Sequence, residues 1–215
     1  MEIPVVEKVL KLNDDIAAGV RKRLLAHHVC TLNIISAPGS GKTTLLERSF
    51  GELREDLNLA VIEGDPDTTL DAERIAKHNI PVVQIETAGG CHLEANLVDN
   101  ALNNFDLDAV DLLFIENVGN LVCPCSFDLG ETCRVGIVST PEGHDKPAKY
   151  PRLFKEADVI ILNKIDLLPY LNFDVNVFRE YIAQLNPAAP VLELSCTTGE
   201  GLDQWIAWLK NMVKT

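Results

Sequence analysis

The sequence predicts an α/β fold in which a mostly parallel β-sheet is covered by helices on both faces. Short apolar runs typical of strands alternate with stretches of helical spacing along the 215 residues. Two of these runs, Leu112–Ile115 and Val159–Leu162, are continuously apolar, as strands buried on both faces require. A glycine-rich turn also lies between the first strand and the next helix, which is the usual setting of a phosphate-binding loop.

The elements follow from hydrophobic spacing and from the position of turn residues. Residues 4–27 have apolar side chains near helical spacing and predict an amphipathic helix with Pro4 in its first turn. Strands are predicted at 30–36, 59–63, 81–85, 111–116, 134–139, 158–163 and 190–195. Further helices are predicted at 42–55, 69–78, 92–104, 174–185 and 201–213. Because ligands of such folds bind at the carboxyl ends of the strands, we expect the site at that edge.

Composition narrows the class of protein and of partner. The chain is 47% hydrophobic and 24% charged, as in soluble globular proteins, and its net charge is −13. An acidic surface repels nucleic acid and anionic membranes, so we expect neither as a partner. No apolar run reaches the roughly 18 residues of a membrane span, and no secretion signal is visible, so we expect a cytoplasmic protein. Its six cysteines are then expected to be thiols or metal ligands rather than disulfides.

The segment Ser36–Thr44 has the spacing of a phosphate-binding loop, with Ser36 in place of the usual first glycine. Glycines let backbone N–H groups surround an anion at the positive end of the following helix. Lys42 can reach the β- and γ-phosphates, and the Thr43 hydroxyl can bind Mg²⁺. The residues predicted to bind phosphate are Gly39, Ser40, Gly41, Lys42, Thr43 and Thr44. The alternative is an ordinary helix N-terminus after a strand.

This loop predicts a single-domain P-loop NTPase fold. We assign residues 1–28 to an N-terminal amphipathic helix packed on the domain, and residues 29–215 to the P-loop domain itself.

The nucleotide base is predicted by polar residues that follow two later strands. Asp166 can accept hydrogen bonds from guanine N1–H and the N2 amino group, which adenine cannot offer. Lys164 can pack on the base, and Asn163 can brace the loop. Ser195 and Cys196 follow the last strand, where a backbone N–H can meet guanine O6. The sequence therefore predicts GTP and GDP, although a polar turn without this role also fits residues 163–166.

Two more strand ends carry candidate residues for Mg²⁺ and for catalysis. Glu116 begins a Glu-Asn-Val-Gly run where GTPases usually have Asp-x-x-Gly, and it can hold Mg²⁺ through water or orient an attacking water. The Gly119 N–H can approach a γ-phosphate. Asp65 can join the Mg²⁺ shell or simply close a turn. Lys42, Glu116 and Gly119 are the candidate catalytic residues, and without an evident strong general base we expect slow turnover.

A second constellation has donors suited to a borderline-soft metal ion. Cys91 and His92 follow two glycines, and Cys123 lies four residues after Gly119. Thiolate and imidazole ligands suit nickel, zinc or copper. Taken alone, buried thiols explain these residues at least as well. Their position favours a metal site, because one loop would then carry both a γ-phosphate contact and a metal ligand.

With these motifs in view, the sequence resembles the HypB family, the hydrogenase nickel-incorporation GTPases of the SIMIBI branch. The most specific part of the resemblance is Glu116–Pro124, a run that general GTPases lack. The other motifs are Ser36–Thr44, Glu63–Asp65, Asp71–Arg74, Cys91–Leu93, Phe127–Gly130, Glu142–Tyr150, Asn163–Tyr170 with Phe173–Asp174, and Thr198–Gly201.

The resemblance implies a GTPase that forms a homodimer when GTP is bound. It implies a nickel or zinc site at the dimer interface from Cys91, His92 and Cys123 of each subunit. It also implies delivery of nickel to the large subunit of [NiFe]-hydrogenase with a HypA-type metallochaperone. Many bacterial relatives carry an N-terminal Cys-x-x-Cys-Gly-Cys motif and a His-rich stretch, and the resemblance does not extend to these. Cys125 is an additional thiol that either joins the metal site or points away.

Three other functions are compatible with parts of the pattern. A urease-accessory-type nickel GTPase would lack the run Asn120–Pro124. A metal storage or sensor protein would not need the intact Lys42, Thr43 and Asp166. A small-molecule kinase would need a preference for adenine, which the Asn163–Asp166 motif opposes.

Overall fold

A computed structural model describes residues 7–66 and 68–214, with side chains described from residue 10 onward. The first helix, α1, spans Glu7–Ala26. Residues 4–6, where this helix was predicted to begin, lie outside the described residues, as does Asp67. No helix in the described ranges is long and apolar enough to cross a bilayer.

The described strands form one seven-stranded sheet in which every neighbouring pair is parallel. They are β1 (Cys30–Ser36), β2 (Leu59–Asp65), β3 (Val82–Glu86), β4 (Leu112–Glu116), β5 (Cys133–Ser139), β6 (Val159–Asn163) and β7 (Val191–Glu193). Their order is β3-β2-β4-β1-β5-β6-β7. The predicted α/β fold class is thereby confirmed. The central strand β1 lies between β4 and β5, so the loops that follow these three strands meet at one edge.

Helices cover both faces of the sheet. After α1 they are α2 (Lys42–Leu53), α3 (Leu70–Ala76), α4 (Ala95–Leu102), α5 (Lys146–Lys149), α6 (Pro151–Glu156), α7 (Val175–Leu185) and α8 (Leu202–Val213). The sequence did not predict α5 and α6, because helices of four and six residues are too short to show a hydrophobic period. Both have proline near the N-terminus, where a missing N–H costs little.

The two faces of β1 differ in polarity. On one face, Leu32 and Ile34 belong to a core that also contains Phe50 of α2 and Trp205 of α8. On the other face the apolar side chains form two separate clusters, one under α1 and α4 and the other under α6 and α7. Side chains alternate along a strand, so the fully buried Asn33 lies on this second face.

Helix α1 packs against α4 and against the segment that precedes β5. Val20 and Leu24 are buried in the cluster under α1. An Arg21 guanidinium nitrogen donates to the Asp128 carboxylate at 2.6 Å. The buried Asn13 side chain donates to the Asp128 carbonyl oxygen at 2.8 Å and accepts from the Ala95 N–H at 2.9 Å. The helix is therefore joined to the sheet by buried apolar and polar contacts.

Gly130 permits the close approach of α1, and its replacement tests that contact. Gly130 has φ 83°, and a Cβ there would lie 2.7 Å from Val20 Cγ1 and 2.8 Å from the Ala17 carbonyl oxygen. We expect Gly130→Ala to lower the free energy of unfolding by about 2–4 kcal/mol, combining left-handed strain with overpacking. Urea denaturation measures this loss.

Gly199 provides the control for this substitution. Its φ is 88°, but a Cβ there would meet no atom within 4 Å. Gly199→Ala should therefore cost only the backbone strain of about 1–2 kcal/mol. Equal losses for the two variants would show that Gly130 is not a packing constraint on α1.

Candidate functional site

The predicted phosphate-binding loop connects β1 to α2 at the carboxyl edge of the sheet. Gly39 and Gly41 have φ of 73° and 101°, which glycine adopts without steric cost. A Cβ on Gly41 would also lie 2.5 Å from the Asn163 side-chain nitrogen. Lys42 and Thr43 begin α2 and are largely buried. The loop thus directs the first turn of α2 toward a small cleft.

The predicted base-binding loop is hydrogen-bonded directly to the phosphate-binding loop. The Asn163 amide nitrogen donates to the Ser40 carbonyl at 2.8 Å, and its oxygen accepts from the Lys164 N–H at 2.7 Å and the Cys196 N–H at 3.3 Å. Lys164 is left-handed, with φ 63°, and its ammonium donates to the Gly39 carbonyl at 2.7 Å. The brace predicted for Asn163 therefore exists as a set of specific contacts.

Asp166 and Ser195, in the loops that follow β6 and β7, are hydrogen-bonded to each other. The Ser195 hydroxyl donates to Asp166 Oδ1 at 2.5 Å and accepts from the N–H groups of Thr197 and Thr198. Arg48 holds the following segment by donating to the Cys196 carbonyl at 2.7 Å. The structure thus brings together the residues predicted to recognise guanine, with the carboxylate oriented by the hydroxyl.

A group of three carboxyl side chains faces Thr43. The Thr43 hydroxyl donates to Glu116 Oε1 at 2.8 Å. Carboxylate oxygens of Glu63, Asp71 and Glu116 lie within 4.8 Å of one another. Glu63 and Glu116 are opposite each other in the β2–β4 register, and each has a buried Oε2 without a hydrogen-bond partner among the described residues. Unpartnered buried carboxylate oxygens are the donors that a Mg²⁺ ion would satisfy, so the residues fit this ion.

The sequence did not single out Glu63 or Asp71 as a Mg²⁺ ligand, and Asp65 was predicted for that role. Asp65 ends β2 and accepts a hydrogen bond from the Thr68 N–H at 2.6 Å. It lies near enough to Glu63 for its charge to raise the pKa of that carboxyl, but it is outside the group of three. The register of two parallel strands decides which carboxylates meet, and hydrophobic periodicity does not reveal that register.

Burial favours the neutral forms of two of these carboxyl groups. Desolvation raises the pKa of Glu116 to about 7, although the nearby Lys42 ammonium opposes the shift. Desolvation, followed by the charge of Glu116, raises the pKa of Glu63 to about 8. Near neutral pH the cluster therefore retains protons that a bound divalent cation would displace.

The cleft between these groups has a volume of about 270 Å³. Its lining residues are Gly39, Gly41, Lys42, Thr43, Thr44, Asp71, Arg74, Glu116 and Lys164. Arg74 donates to Glu47 at 2.6 Å, to Asp71 at 2.9 Å and to the Thr44 hydroxyl at 3.2 Å. No role was predicted for Arg74 from the sequence, and the structure shows it as a positive charge held beside the phosphate-binding loop.

The three predicted soft-metal ligands converge although they come from two separate loops. Ligand atoms of Cys91, His92 and Cys123 lie within 4.8 Å of one another, and all three residues are half-buried. The turn before Cys91 includes Ala88 and Gly89 with φ of 49° and 84°.

The surroundings of these ligands fit a metal ion. The His92 ring stacks on Phe127 with centroids 3.9 Å apart, and its Nε2 is buried without a hydrogen-bond partner among the described residues. The Cys91 Sγ lies 3.5 Å from His92 Nδ1. A hydrogen bond with Cys123, followed by burial, raises the pKa of the Cys91 thiol. The nearest carboxylate oxygen to His92 Nε2 is Glu94 Oε1 at 3.7 Å, beyond hydrogen-bond distance. Two neighbouring thiols and an imidazole nitrogen without a hydrogen bond form a donor set suited to nickel or zinc.

Cys125 is not part of this donor set. Its side chain is 1% exposed and belongs to the apolar cluster under α6 and α7. The Sγ donates to the Leu121 carbonyl at 3.3 Å, and burial raises the pKa of this thiol to about 11. The additional thiol beside Pro124 therefore points into the core.

The segment Glu116–Cys123, which follows β4, connects the two candidate sites. A Cβ on Gly119 would lie 3.1 Å from Pro38 Cα, so this backbone packs directly on the phosphate-binding loop. Four residues later, Cys123 reaches the donor set. Fold, phosphate-binding loop and base-binding loop together define the class of P-loop nucleotide-binding proteins with the guanine motif.

Comparison with known proteins identifies the family. The family model described as "CobW/HypB/UreG, nucleotide-binding domain" matches residues 30–193. Hydrogenase maturation factor HypB from Escherichia coli K12 is 47% identical over 210 residues, covering 98% of this chain and 71% of that protein. A probable HypB from Methanocaldococcus jannaschii is 42% identical over 212 residues, covering 99% and 96%.

Two solved structures of HypB proteins support the same family assignment. HypB from Helicobacter pylori in complex with nickel superimposes with a TM-score of 0.90 at 38% identity, over 94% of this chain and 95% of that one. HypB from Archaeoglobus fulgidus gives 0.89 at 37% identity, over 94% and 99%. The chain belongs to the CobW/HypB/UreG family and, within it, to the HypB hydrogenase maturation factors, which are GTPases.

Substitution of Asp166 tests the guanine assignment. Asp166→Asn replaces an acceptor for guanine N1–H with an amide that suits xanthine better. We expect GTP affinity to fall by about 100-fold and the preference for GTP over XTP to be lost, because two charge-assisted hydrogen bonds are removed. Competition binding with both nucleotides measures the change. Asp203→Asn, at an exposed position in α8, is the control, and unchanged selectivity in Asp166→Asn would reject the assignment.

The carboxyl cluster predicts a pH dependence of stability. Glu63 and Glu116 have pKa values raised in the folded state to about 8 and 7, so their stabilising contribution is complete below the unfolded pKa near 4.5. This contribution is lost as pH rises from about 5 to 8. Without Mg²⁺, the melting temperature of wild type should fall over this range relative to a Glu63→Gln, Glu116→Gln double variant. Added Mg²⁺ should reverse the fall, and identical pH profiles without Mg²⁺ would contradict the assignment.

Proposed function

We propose that this chain is a GTP-hydrolysing metallochaperone that binds nickel, or zinc in its place, and supports nickel insertion into [NiFe]-hydrogenase through a GTP-dependent dimer switch. The observation that carries the proposal is the segment Glu116–Cys123. It packs on the phosphate-binding loop at Gly119 and brings Cys123 to Cys91 and His92. A change at the terminal phosphate can therefore change the metal ligands by moving one piece of chain.

In the nucleotide half of this mechanism, residues 39–44 hold the phosphates and Asp166 selects guanine. Ser195 orients Asp166. The N–H groups of Cys196, Thr197 and Thr198 bond Asn163 and Ser195, so a contact with guanine O6 requires one of them to exchange its partner. We assign Mg²⁺ binding to Thr43 and Glu116 with Asp65, and we add Asp71 and Glu63 because their oxygens lie next to Glu116. A bound Mg²⁺ would supply positive charge beside the β- and γ-phosphates.

Hydrolysis in this proposal depends on charge and position rather than on a strong base. Lys42 and the Gly119 N–H stabilise the γ-phosphoryl group, and Glu116 orients the attacking water. Glu116 Oε1 accepts a hydrogen bond from the Thr43 hydroxyl at 2.8 Å, a contact that orients this carboxyl group toward the phosphate-binding loop. Turnover is expected to be slow, as in switch GTPases without an activator.

The metal half of the mechanism requires a second copy of the chain. Three donors from one subunit leave one position of a four-coordinate ion open, and a donor from the symmetric set of a second subunit can fill it. We therefore propose a homodimer, formed when GTP is bound, with Cys91, His92 and Cys123 of both subunits at its interface. A HypB relative has been solved in complex with nickel.

The remaining partners follow from the family resemblance and from charge. We propose a HypA-type metallochaperone and the hydrogenase large subunit as protein partners, in the cytoplasm. The net charge of −13 argues against nucleic acid and anionic membranes. Residues 1–28 remain our proposed N-terminal unit, packed on a P-loop domain of residues 29–215.

Urease maturation is a second candidate function. A relative from Helicobacter pylori J99 that is 40% identical over 208 residues is named a hydrogenase/urease maturation factor. The same nickel site would serve both roles, and only the acceptor protein would differ.

Nickel titration of the GDP-bound and GTP-analogue-bound forms, with molecular mass followed in parallel, tests the switch. We expect the two forms to differ in nickel affinity, and the analogue-bound form to be dimeric. By reciprocity, nickel must change the ratio of analogue to GDP affinity by the same factor. Equal nickel affinity in both nucleotide states would contradict the proposed GTP-dependent switch.

Substitution of Cys123 tests the proposed ligand set. Cys123→Ala should lose nickel and zinc binding while retaining nucleotide binding, because only the thiol is removed. Cys125→Ala, two residues away in the core, is the matched control and should retain the metal. Full metal binding by Cys123→Ala would show that Cys123 is not a metal ligand and that the site lies elsewhere.

A further inference from the structure

A buried amide connects the two loops that carry the metal ligands. Asn117 lies between Glu116 and Val118 and is 1% exposed. Its side-chain oxygen accepts the Leu93 N–H at 3.2 Å and the Val118 N–H at 3.0 Å. Leu93 follows the ligand His92, and Val118 precedes Gly119. One oxygen atom thus holds backbone groups from both loops.

The orientation of this amide is determined by its neighbours. Two backbone N–H groups point at one atom of Asn117, so that atom must be the oxygen. The nitrogen of Asn117 then donates to the Asn33 oxygen at 3.1 Å, and the Asn33 nitrogen donates to Glu131 at 3.2 Å. Glu131 in turn accepts from Arg134 at 2.9 Å. The chain of donors runs in one direction and ends on a charged pair.

This polar chain lies in otherwise apolar surroundings. Asn33 is on the face of β1 where the two clusters under α1 with α4 and under α6 with α7 are separate. Leu93 and Asn33 are both fully buried. A buried donor that loses its partner costs about 1–3 kcal/mol. If the Cys91-His92 loop moves away from Asn117, the Leu93 N–H loses its partner. If Asn117 moves together with that loop, the Leu93 hydrogen bond is kept and the bonds from Asn117 to Asn33 and to the Ile34 carbonyl must be exchanged.

We infer that Asn117 is the positioning residue that couples nucleotide state to the metal site, by making the Gly119 loop and the Cys91-His92 loop move as one unit. The inference rests on the proposed function and adds a second connection to it. Cys123 is linked to Gly119 through the backbone, but Cys91 and His92 are 25 or more residues away along the chain. The Asn117 oxygen supplies their physical connection to the same loop.

A purely structural role for Asn117 makes a different prediction. Loss of structure alone would weaken nickel binding to a similar extent in both nucleotide states. Loss of coupling changes the ratio of the two affinities. The informative quantity is therefore the ratio of nickel dissociation constants between the GDP and GTP-analogue complexes, and not either constant alone.

The experiment titrates Ni²⁺ into both nucleotide complexes of wild type, Asn117→Ser and Asn186→Ser. Asn186 is the matched control, since its amide bonds the Phe154 and Ala157 carbonyls and the Ala189 N–H and makes none of these hydrogen bonds to either ligand loop. We expect a wild-type ratio in the usual range of about 5–150. The ratio should fall by about threefold or more in Asn117→Ser, where only the backbone link through Cys123 remains, and stay at the wild-type value in Asn186→Ser.

The outcomes separate this inference from the proposed function. A wild-type ratio of 1 would overturn the proposed switch, and the inference with it. A wild-type ratio well above 1 that persists in Asn117→Ser would overturn the inference alone.

A second measurement needs no variant and covers the case in which Asn117→Ser fails to fold. Amide hydrogen exchange of nickel-loaded wild type is followed at Leu93 and Val118 in both nucleotide states. Because both amides share one acceptor, their protection should change by similar factors when GDP is replaced by the analogue. A change at Val118 with none at Leu93 would overturn the inference.

Discussion

The contact between Gly119 and Pro38 is the constraint on which the rest of the site depends. A side chain at position 119 would come within 3.1 Å of the Pro38 backbone, so the loop after β4 lies directly against the phosphate-binding loop. Cys123 is four residues further on, within about 14 Å of extended chain. The hydrogen bond from the Cys123 N–H to Asn120 Oδ1, at 3.3 Å, makes the path shorter and stiffer. One short segment therefore joins the candidate nucleotide site to the candidate metal site.

The sheet is a rigid support for these two neighbouring sites. The polar groups at its edge are the ones whose contacts a bound cation would change. Leu32 and Ile34 fix β1 in a fully apolar core. Glu63 and Glu116 are buried beside it with raised pKa values and unpartnered oxygens, an arrangement that a cation would stabilise. The buried hydrogen bonds from Asn117 to Asn33 and from Asn33 to Glu131 form together in one arrangement of these side chains. Such networks favour discrete alternatives over gradual deformation.

The sequence predicted the sheet and its loops because these depend on local patterns. Apolar runs located the strands within one or two residues, and glycine spacing located the phosphate-binding loop. It did not predict Glu63 beside Glu116, because the pairing of β2 with β4 is a long-range property. It did not predict Asp71 there either, because the packing of α3 against these strands is also long-range. It also left Cys125 open, since the direction of a side chain within the turn at Cys123–Ser126 depends on the packing of α6. In the sequence, Asn117 is only one residue of the Glu116–Gly119 motif. Its inferred role depends on a hydrogen bond from the Leu93 N–H, which belongs to another loop.

X-ray absorption spectroscopy at the nickel edge tests the central claim most directly. Full-length protein carrying one nickel per site is measured with GDP and then with a slowly hydrolysed GTP analogue. If one loop joins the two sites, the number of sulfur neighbours or the nickel–sulfur distances must change between the two nucleotide states. Identical spectra from both complexes would contradict the account, because the metal ligands would then be insensitive to the terminal phosphate.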